Sequence, residues 1–292
     1  MKNKGFVGFV GLGVMGFPMA SHLHTGGHKV RVCNRSEDKS KRWANLTGGN
    51  YFLTPKEVAE GCNVVFLCVG NDEDVRSVVT GEDGILKSLK PGSIIVDHTT
   101  TSAILAQEMS SKCLNQEIFF IDAPLSGGQI GAESGKLTVM AGGDKNAFNK
   151  IKELLSLYSK FVRRMGDSGT GQLTKMVNQI CIASLIQGLA EGINFSEKAG
   201  LDTRGVVEVI SKGAAQSWQM DNRWETMLTG EYDHGFAVDW MRKDLGIAIK
   251  EAENNTANID ITKTIDQYYK EVQAMGGGRW DTSSLLKRLK DD

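Results

Sequence analysis

Short apolar runs alternate with amphipathic stretches over roughly the first 166 residues of the chain. The runs are rich in Val, Ile and Phe and lack alternating polar positions, which is typical of strands in a parallel sheet buried on both faces. We predict seven strands, at Phe6–Val10, Lys29–Cys33, Asn63–Val69, Ser93–Asp97, Phe119–Asp122, Lys136–Ala141 and Phe161–Met165. Intervening segments such as Pro18–Thr25 and Ser102–Leu114 have helical character. This alternation predicts a doubly wound α/β domain with right-handed crossovers.

The pattern changes in the second half of the chain, where no proline follows Pro124. One long helical pattern extends from Gly171 to Ala199, with apolar residues three and four positions apart. Further helices are predicted at Thr203–Lys212, Val238–Asn254, Thr262–Met275 and Ser283–Leu289. We therefore predict an α/β domain of residues 1–166 and an all-α C-terminal domain of residues 167–292, joined by the long helix.

The composition is that of a globular protein. Of the 292 residues, 40% are hydrophobic and 24% are charged, which excludes disordered and fibrous proteins. The formal net charge of −1 gives no electrostatic signature of nucleic-acid or anionic-membrane binding. We therefore expect no nucleic-acid partner and no membrane association.

The N-terminus and the cysteines bear on the compartment. Residues 1–20 imitate a secretory signal, because a basic start precedes an apolar run, but the run contains five glycines and is too short to span a bilayer. The five cysteines are scattered and form no CxxC pair, which excludes a zinc knuckle and a disulfide framework. We expect a cytoplasmic protein with reduced, mostly buried thiols and no metal centre.

A glycine-rich loop directly follows the first predicted strand and opens a helix. Its residues have GxGxxG spacing and are Gly11, Leu12, Gly13, Val14, Met15 and Gly16. In a dinucleotide-binding domain the first glycine makes a tight turn, the second lets pyrophosphate approach the backbone, and the third allows close helix–strand packing. The motif alone is weak, but the flanking strands supply its required context. We predict a Rossmann-type domain rather than a glycine turn without a ligand.

The end of the second predicted strand bears on the choice of cofactor. An NAD site usually has an acidic residue there, which binds the ribose 2′-hydroxyl. This chain has Asn34, Arg35 and Ser36 instead, and an arginine beside a hydroxyl suits a 2′-phosphate. NADP(H) is therefore the predicted cofactor. Two alternatives remain open: Arg35 is a solvated turn residue, or the turn is longer and Glu37 or Asp38 reaches the ribose, which would favour NAD.

Polar residues also follow the predicted strand Ser93–Asp97, at the sheet edge where ligands bind in such folds. Thr101 and Ser102 are interpreted as caps of the next helix. Thr100 could instead contact the nicotinamide ribose. His98 is a candidate acid–base group, although the sequence shows no carboxylate that would orient it.

A second strand end at the same edge carries Ser126, Gly127 and Gly128. Backbone amides in such a loop can form an anion-binding nest, but the same residues are equally typical of a plain turn.

The long helix then begins in a glycine-led segment and carries Lys175, Asn178 and Gln179 at positions i, i+3 and i+4, which places three polar groups on one face. The alternatives for this face are solvation or a network between domains.

Five motifs occur in the order known from the β-hydroxyacid dehydrogenases. They are GFVGLGVMG, DHTTTS, DAPLSGG, GTGQLTKMVNQ and the later segment Arg242–Leu245. The chain resembles this family over essentially its whole length. The family includes 3-hydroxyisobutyrate dehydrogenase, tartronate semialdehyde reductase and the glyoxylate/succinic semialdehyde reductases.

The resemblance implies roles for particular residues. Lys175 would be the catalytic lysine, and the substrate would be held by Ser126, Gly127, Gly128, Asn178 and Gln179. Thr100 and Lys243 would contact the cofactor. The implied reaction is hydride transfer between NADP(H), or NAD(H), and a small carboxylate-bearing aldehyde or 3-hydroxy acid, in a homodimer or homotetramer.

Other functions are weighed by residue content. Many family members have a second asparagine where this chain has Gln179, and Ser-Thr where it has Thr99-Thr100, so the substrate stays open. The YxxxK pair of short-chain dehydrogenases is absent from the sequence. Imine reductases share the architecture but generally lack the lysine. A non-catalytic dinucleotide-binding or scaffold protein on the same fold is the remaining alternative.

Overall fold

The computed structural model describes residues 5–290. The chain forms two compact units that divide between Lys175 and Met176. The first is an α/β unit and the second is helical, so the predicted Rossmann-type architecture with an all-α C-terminal part is confirmed. The division falls inside the long helix, nine residues beyond the predicted boundary at 166/167.

Nine strands form one sheet within the described residues. They are β1 (Phe6–Val10), β2 (Lys29–Cys33), β3 (Asn50–Tyr51), β4 (Cys62–Leu67), β5 (Ile94–Asp97), β6 (Phe119–Asp122), β7 (Leu125–Ser126), β8 (Leu137–Gly142) and β9 (Ser159–Gly166). The order is β3-β2-β1-β4-β5-β6-β8-β7, and β9 pairs with β8. Strands β1 to β6 are parallel, with the order reversing between β1 and β4. In such sheets that point forms a ligand crevice at the carboxyl ends of the strands.

The helices of the first unit connect these strands. They are α1 (Gly16–Thr25), α2 (Glu37–Thr47), α3 (Pro55–Ala59), α4 (Asp72–Thr80), α5 (Ala103–Leu114), α6 (Gly128–Glu133) and α7 (Lys145–Leu155). The remaining helices are α8 (Thr170–Lys198), α9 (Thr203–Ile210), α10 (Trp218–Thr229), α11 (Val238–Asn255), α12 (Asp260–Ala274) and α13 (Leu285–Lys290). Short 3₁₀ turns lie at Ile85–Lys87 and Thr282–Ser284.

Two apolar clusters cover the two faces of the sheet, because successive strand residues point to opposite sides. Phe9 and Val96 belong to one cluster, and Leu67 and Ile95 belong to the other. All four are buried, as the apolar runs predicted. A third cluster forms the core of the second unit, where Met241 is among the buried residues of α11.

The structure corrects parts of the sequence prediction. The sheet is not entirely parallel, since β8 runs antiparallel to both β6 and β7. The two-residue strands β3 and β7 were missed, because two residues give no apolar run. Helix α10 was missed as well, because its apolar residues form a weak stripe: Trp218 is exposed while the polar Gln219 is buried.

Helix α8 is long and apolar enough, by length and composition alone, to cross a membrane. Core helices of folded domains pass the same test, and 44% of the most apolar stretch of α8 is buried inside the protein. Cys33, Cys62 and Cys113 are buried thiols, and burial raises the pKa of Cys33 to about 12, which makes it unreactive.

Candidate active site

The glycine loop follows β1 at the carboxyl edge of the sheet, where the strand order reverses. Gly11 has a φ of +96°, and a Cβ atom on it would collide with the carbonyl oxygen of Cys68. A Cβ atom on Gly16 would collide with the carbonyl oxygen of Gly11. A Cβ atom on Gly13 would meet nothing within 4 Å. Packing therefore requires the outer two glycines, and the middle one leaves open space against its backbone.

The first turn of α1 is suited to an anion. Met15, which precedes the helix, has no side-chain oxygen that could cap the first-turn amides, and Val14 beside it is exposed. Within this turn the Phe17 amide donates to the carbonyl oxygen of Gly13 at 3.0 Å, and Pro18 has no N–H group. The positive end of the helix dipole attracts phosphate. Together with the open space at Gly13, this helix end fits the pyrophosphate of a dinucleotide.

Asn34 ties the end of β2 to the glycine loop. Its side-chain oxygen accepts a hydrogen bond from the Leu12 amide at 2.8 Å, and its side-chain nitrogen donates to the carbonyl oxygen of Ser36 at 3.1 Å. The sequence suggested a direct cofactor contact for Asn34. The structure shows a side chain whose amide group holds two segments of backbone together.

The turn after β2 is short, because α2 begins at Glu37 directly after Ser36. The Arg35 side chain is 91% exposed, with its guanidinium 3.5 Å from the Asp74 carboxylate. Glu37 lies within the helix and pairs with Lys41 at 3.1 Å. The turn is therefore no longer than the predicted one, and Glu37 has an ion-pair partner on its own helix. Arg35 is the charged side chain that this turn presents to solvent.

His98 is a core residue. It is buried, one ring nitrogen lies 2.6 Å from the carbonyl oxygen of Ala123, and the other lies 2.8 Å from the hydroxyl of Tyr158. Burial lowers the pKa of His98 to about 4, so the ring is neutral at physiological pH. Both ring nitrogens therefore have hydrogen-bond partners within the protein, and the ring stacks on Phe66. These contacts argue against the candidate role of His98 as an acid–base group.

The residues that follow His98 divide into capping and edge positions. The Ser102 hydroxyl accepts a hydrogen bond from the Leu105 amide at 3.0 Å, so Ser102 caps α5 as expected. Thr101 does not cap the helix, because it lies one residue earlier; its amide donates to the side chain of Gln172 at 3.0 Å. Thr100 precedes both residues and is half-buried, at the carboxyl edge of the sheet.

Ser126 ends β7, Gly127 follows it, and Gly128 begins α6. Gly127 and Gly128 have φ values of +125° and +59°, a backbone region that favours glycine. Ser126 is half-buried in the two-residue strand β7. The segment is therefore a glycine-dependent turn with one hydroxyl at its start.

Lys175 lies above this turn. Its side chain is only 8% exposed, and its ammonium donates a hydrogen bond to the carbonyl oxygen of Leu125 at 2.7 Å. The preceding turn of α8 is anchored to the sheet edge by Gln172, whose side chain donates to the carbonyl oxygen of Thr99 at 2.7 Å and accepts from the amide of Thr101. The amine is thus held beside Ser126 by backbone geometry.

The other two residues of the predicted polar face, Asn178 and Gln179, belong to the second unit. The Asn178 amide donates to the side-chain oxygen of Gln179 at 2.8 Å, and Gln179 donates to the Asp244 carboxylate at 2.7 Å. Gln179 is buried. The structure therefore gives Gln179 a role in orienting Asn178, where the sequence suggested substrate contact for both. Lys243 lies 3.3 Å from the Asp244 carboxylate and 5.8 Å above the ring of Trp240.

Two family models together span nearly all of the chain. Residues 6–167 match the NAD-binding domain of 6-phosphogluconate dehydrogenase, and residues 169–289 match the NAD-binding domain of NADP-dependent 3-hydroxyisobutyrate dehydrogenase. The chain belongs to the β-hydroxyacid dehydrogenase family. The chain is therefore an NAD(P)-dependent hydroxyacid dehydrogenase.

Individual members of the family match over their full length. An uncharacterised oxidoreductase of Shewanella frigidimarina is 57% identical over 97% of this chain and 98% of its own. The 2-hydroxy-3-oxopropionate reductase of Escherichia coli is 32% identical over 97% of each chain. A solved structure of Psf3 in complex with NADP⁺ and 2-OPP has a TM-score of 0.89 at 25% identity, and covers 97% of this chain and 99% of its own.

Sequence reasoning missed two residues that support the site of this β-hydroxyacid dehydrogenase. Asp122, at the end of β6, accepts hydrogen bonds from the amides of Gly169 and Gln172, and Gln172 anchors α8 to the end of β5. Both residues lie inside motifs that carried the family resemblance. The signal that could have found them is a buried polar side chain in an otherwise apolar strand or helix, because such groups need partners.

Proposed function

We propose that the chain transfers a hydride between NADP(H) and a small aldehyde or 3-hydroxy acid that carries a carboxylate, with Lys175 as the acid–base group. The observation that carries the proposal is the position of the Lys175 amine. It is buried, 2.7 Å from the carbonyl oxygen of Leu125, and next to the Ser126–Gly128 turn at the ligand-binding edge of the sheet. Burying an amine costs free energy, so such a position calls for a function.

The amine suits the charge that develops in the reaction. Reduction converts the carbonyl oxygen of an aldehyde into an alkoxide-like oxygen, which a Lys175 ammonium can stabilise and then protonate. In the opposite direction, a neutral Lys175 amine can accept the hydroxyl proton. Bound nicotinamide supplies or accepts the hydride, and the protein orients the substrate and moves the proton.

The Ser126–Gly128 turn is the proposed site of the substrate carboxylate. Glycine backbone allows close approach of an anion to the amides, and the Ser126 hydroxyl offers a further donor. The family relative named 2-hydroxy-3-oxopropionate reductase supports a substrate of this class. Asn178, oriented by Gln179, is proposed as a second substrate contact.

NADP(H) is the proposed cofactor because of the turn after β2. A 2′-phosphate brings up to two negative charges, and the Arg35 side chain is exposed, with the Asp74 carboxylate 3.5 Å from its guanidinium. Glu37, the next acid along the chain, pairs with Lys41. Thr100 and Lys243 are proposed as further cofactor contacts. We expect Arg35→Ala to weaken the preference for NADPH over NADH by about tenfold to a hundredfold. Lys39→Ala, which removes another exposed positive charge from α2, is the control and should leave the ratio of kcat/KM values unchanged.

A substrate panel tests the proposed function as a whole. Glyoxylate, succinic semialdehyde, tartronate semialdehyde and methylmalonate semialdehyde are each assayed with NADPH and with NADH, and butyraldehyde serves as the aldehyde without a carboxylate. Turnover of at least one semialdehyde, faster with NADPH, supports the proposal. Cofactor binding without turnover would instead support a non-catalytic dinucleotide-binding protein.

Self-association and a cytoplasmic location, both expected from the sequence, remain proposals. The second unit has exposed apolar side chains on α8 and α9, including Leu185, Phe195 and Val209. Helices α8 to α10 also line an apolar cavity of about 340 Å³. Exposed apolar surface of this kind supports a homodimer or homotetramer. Light scattering coupled to size-exclusion chromatography measures the mass directly.

A further inference from the structure

The start of α8 is capped by a residue far away in the sequence. The helix begins at Thr170 after Gly169, and glycine has no side chain that could cap the helix. The carboxylate of Asp122, at the end of β6, fills this role: one oxygen accepts from the Gly169 amide at 2.8 Å and the other from the Gln172 amide at 3.0 Å. Gln172 is the third helical residue, whose amide an N-cap side chain normally accepts.

The backbone around this carboxylate leaves no room for rearrangement. A Cβ atom on Gly171 would lie 2.5 Å from the carbonyl oxygen of Met140 and 2.6 Å from that of Asp122. A Cβ atom on Gly142 would lie 2.7 Å from an Asp122 carboxylate oxygen. The backbone of α8 therefore packs directly against the backbones of β6 and β8, and the Asp122 carboxylate is enclosed between them.

The capped end of α8 is separated from Lys175 by a single helical turn. The rise from Gly171 to Lys175 is about 6 Å. The acceptor of the Lys175 amine, the carbonyl oxygen of Leu125, lies three residues after Asp122 in the same strand-end segment. One segment of chain thus binds the helix start through a side chain and the amine through its backbone.

We propose that Asp122 is a positioning residue that holds the start of α8, and through it the Lys175 amine, against the β6–β7 segment. This inference rests on the proposed function, in which Lys175 is the acid–base group. Asp122 touches neither substrate nor cofactor in this proposal. It acts through the helix.

The electrostatics of the strand ends support this role. Asp122 is buried beside Asp97, its register partner on β5. Burial raises the pKa of Asp122 to about 6, while the amides of Gly169 and Gln172 counteract the increase. Burial raises the pKa of Asp97 further, to about 7. Asp122 is therefore mainly ionised at neutral pH, and its negative charge lies at the positive end of the α8 dipole.

Asp122→Asn is the first test variant, and Asp97→Asn is its matched control. Both replace a buried carboxylate by an amide of the same shape at paired positions. At position 122 the new NH₂ group would face a backbone N–H group, so one hydrogen bond of the cap is lost. At position 97 the amide oxygen can still accept from the Thr99 amide, as the carboxylate does at 2.9 Å.

Hydrogen exchange of the protein without ligands is the first readout. In Asp122→Asn, the amides of residues 169–175 should exchange at least about tenfold faster, while those of residues 183–193 and all amides in Asp97→Asn keep their rates. Unchanged exchange in residues 169–175 of Asp122→Asn would overturn the proposal. If this variant does not fold, Asp122→Ser, which is smaller and uncharged, takes its place under the same criteria.

Steady-state kinetics, normalised to bound NADPH, is the second readout. We expect kcat of Asp122→Asn to fall by about tenfold or more, with the Kd for NADPH unchanged. The double variant with Lys175→Ala should be no slower than Lys175→Ala alone, because a misplaced amine and a missing amine lose the same interaction. Additive losses, or faster exchange with unchanged kcat, would mean that Asp122 is only structural. Absence of turnover in the wild type would instead refute the proposed function itself.

Discussion

Strands β5 and β6 end in the same way and continue differently. Each ends with a buried aspartate, and Asp97 and Asp122 are partners in the strand register. After β5, Asp97 accepts from the Thr99 amide of its own segment, and Ser102 both caps α5 and donates to the Asp72 carboxylate. After β6, the Asp122 side chain caps the distant helix α8, and the carbonyl oxygen of Leu125 accepts a hydrogen bond from Lys175. Two aspartates in register thus bind different donors, one within its own segment and one at the start of a distant helix.

The largest effect should come from Lys175→Ala, which removes the amine from the β6 side of the comparison. We expect kcat to fall by about a hundredfold or more, the usual scale for a positioned acid–base group. NADPH binding should change little, because the glycine loop of α1 is untouched. Stopped-flow turnover and fluorescence titration with NADPH measure the two quantities. Wild-type turnover in this variant would refute the role of Lys175.

Ser126→Ala tests the segment that follows β6 at the Ser126–Gly128 turn. Loss of the hydroxyl should reduce the preference for succinic semialdehyde over butyraldehyde by about tenfold in kcat/KM, as expected when one hydrogen bond to a charged group is lost. Ser102→Ala, which removes the corresponding cap after β5, is the control and should lower thermal stability without changing that ratio. Equal ratios in wild type and Ser126→Ala would show that the turn is only structural.

On the β5 side, His98→Phe should affect stability and leave catalysis intact. The ring is replaced by one of similar shape, but the carbonyl oxygen of Ala123 and the hydroxyl of Tyr158 lose their partner. We expect the free energy of unfolding to fall by about 1–3 kcal/mol, the cost of leaving buried polar groups unsatisfied. Urea denaturation measures this loss. A large fall in kcat per folded molecule would restore His98 as a catalytic candidate.

Asp97→Asn should have the smallest effect on turnover and a visible effect on the pH dependence of stability. The pKa of Asp97 is raised to about 7 in the folded protein, so between pH 4 and 7 the folded state binds more protons than the unfolded state. The free energy of unfolding therefore falls as pH rises through this range. The variant has no carboxyl group at this position and therefore lacks this loss. The free energy of unfolding of the variant minus that of the wild type should be larger at pH 8 than at pH 5. The same difference at both pH values would contradict the raised pKa.

Much of the first unit could be predicted from the sequence because its signals are local. β1, β2 and β6 have their predicted bounds, since each is an apolar run ended by a loop. The glycine loop was found because its spacing follows from steric needs within one turn. The antiparallel direction of β8 was not predictable from its apolar run, because a buried run looks the same in either direction.

The candidate site was predicted less completely, for a physical reason. Lys175 stands out as a polar residue on an apolar helix, but Asp122 and Gln172 act across 47 to 73 residues of chain. Such partners depend on tertiary packing, which no local pattern encodes. Asn34 and Gln179 were assigned to ligands from their motifs, and the structure adds a protein partner for each; their ligand contacts stay predictions.

The Asn34 bridge has a consequence for redesigning cofactor preference. Asn34 holds the glycine loop, whereas the adjacent Arg35 side chain is exposed and contributes nothing to that bridge. The position proposed to bind the 2′-phosphate is therefore separate from the hydrogen bonds that hold the glycine loop. Natural selection or a protein engineer can change the residue at position 35 without disturbing the loop. A library that varies position 35 alone keeps the Asn34 bridge, whereas one that also randomises position 34 removes the bridge from most of its members.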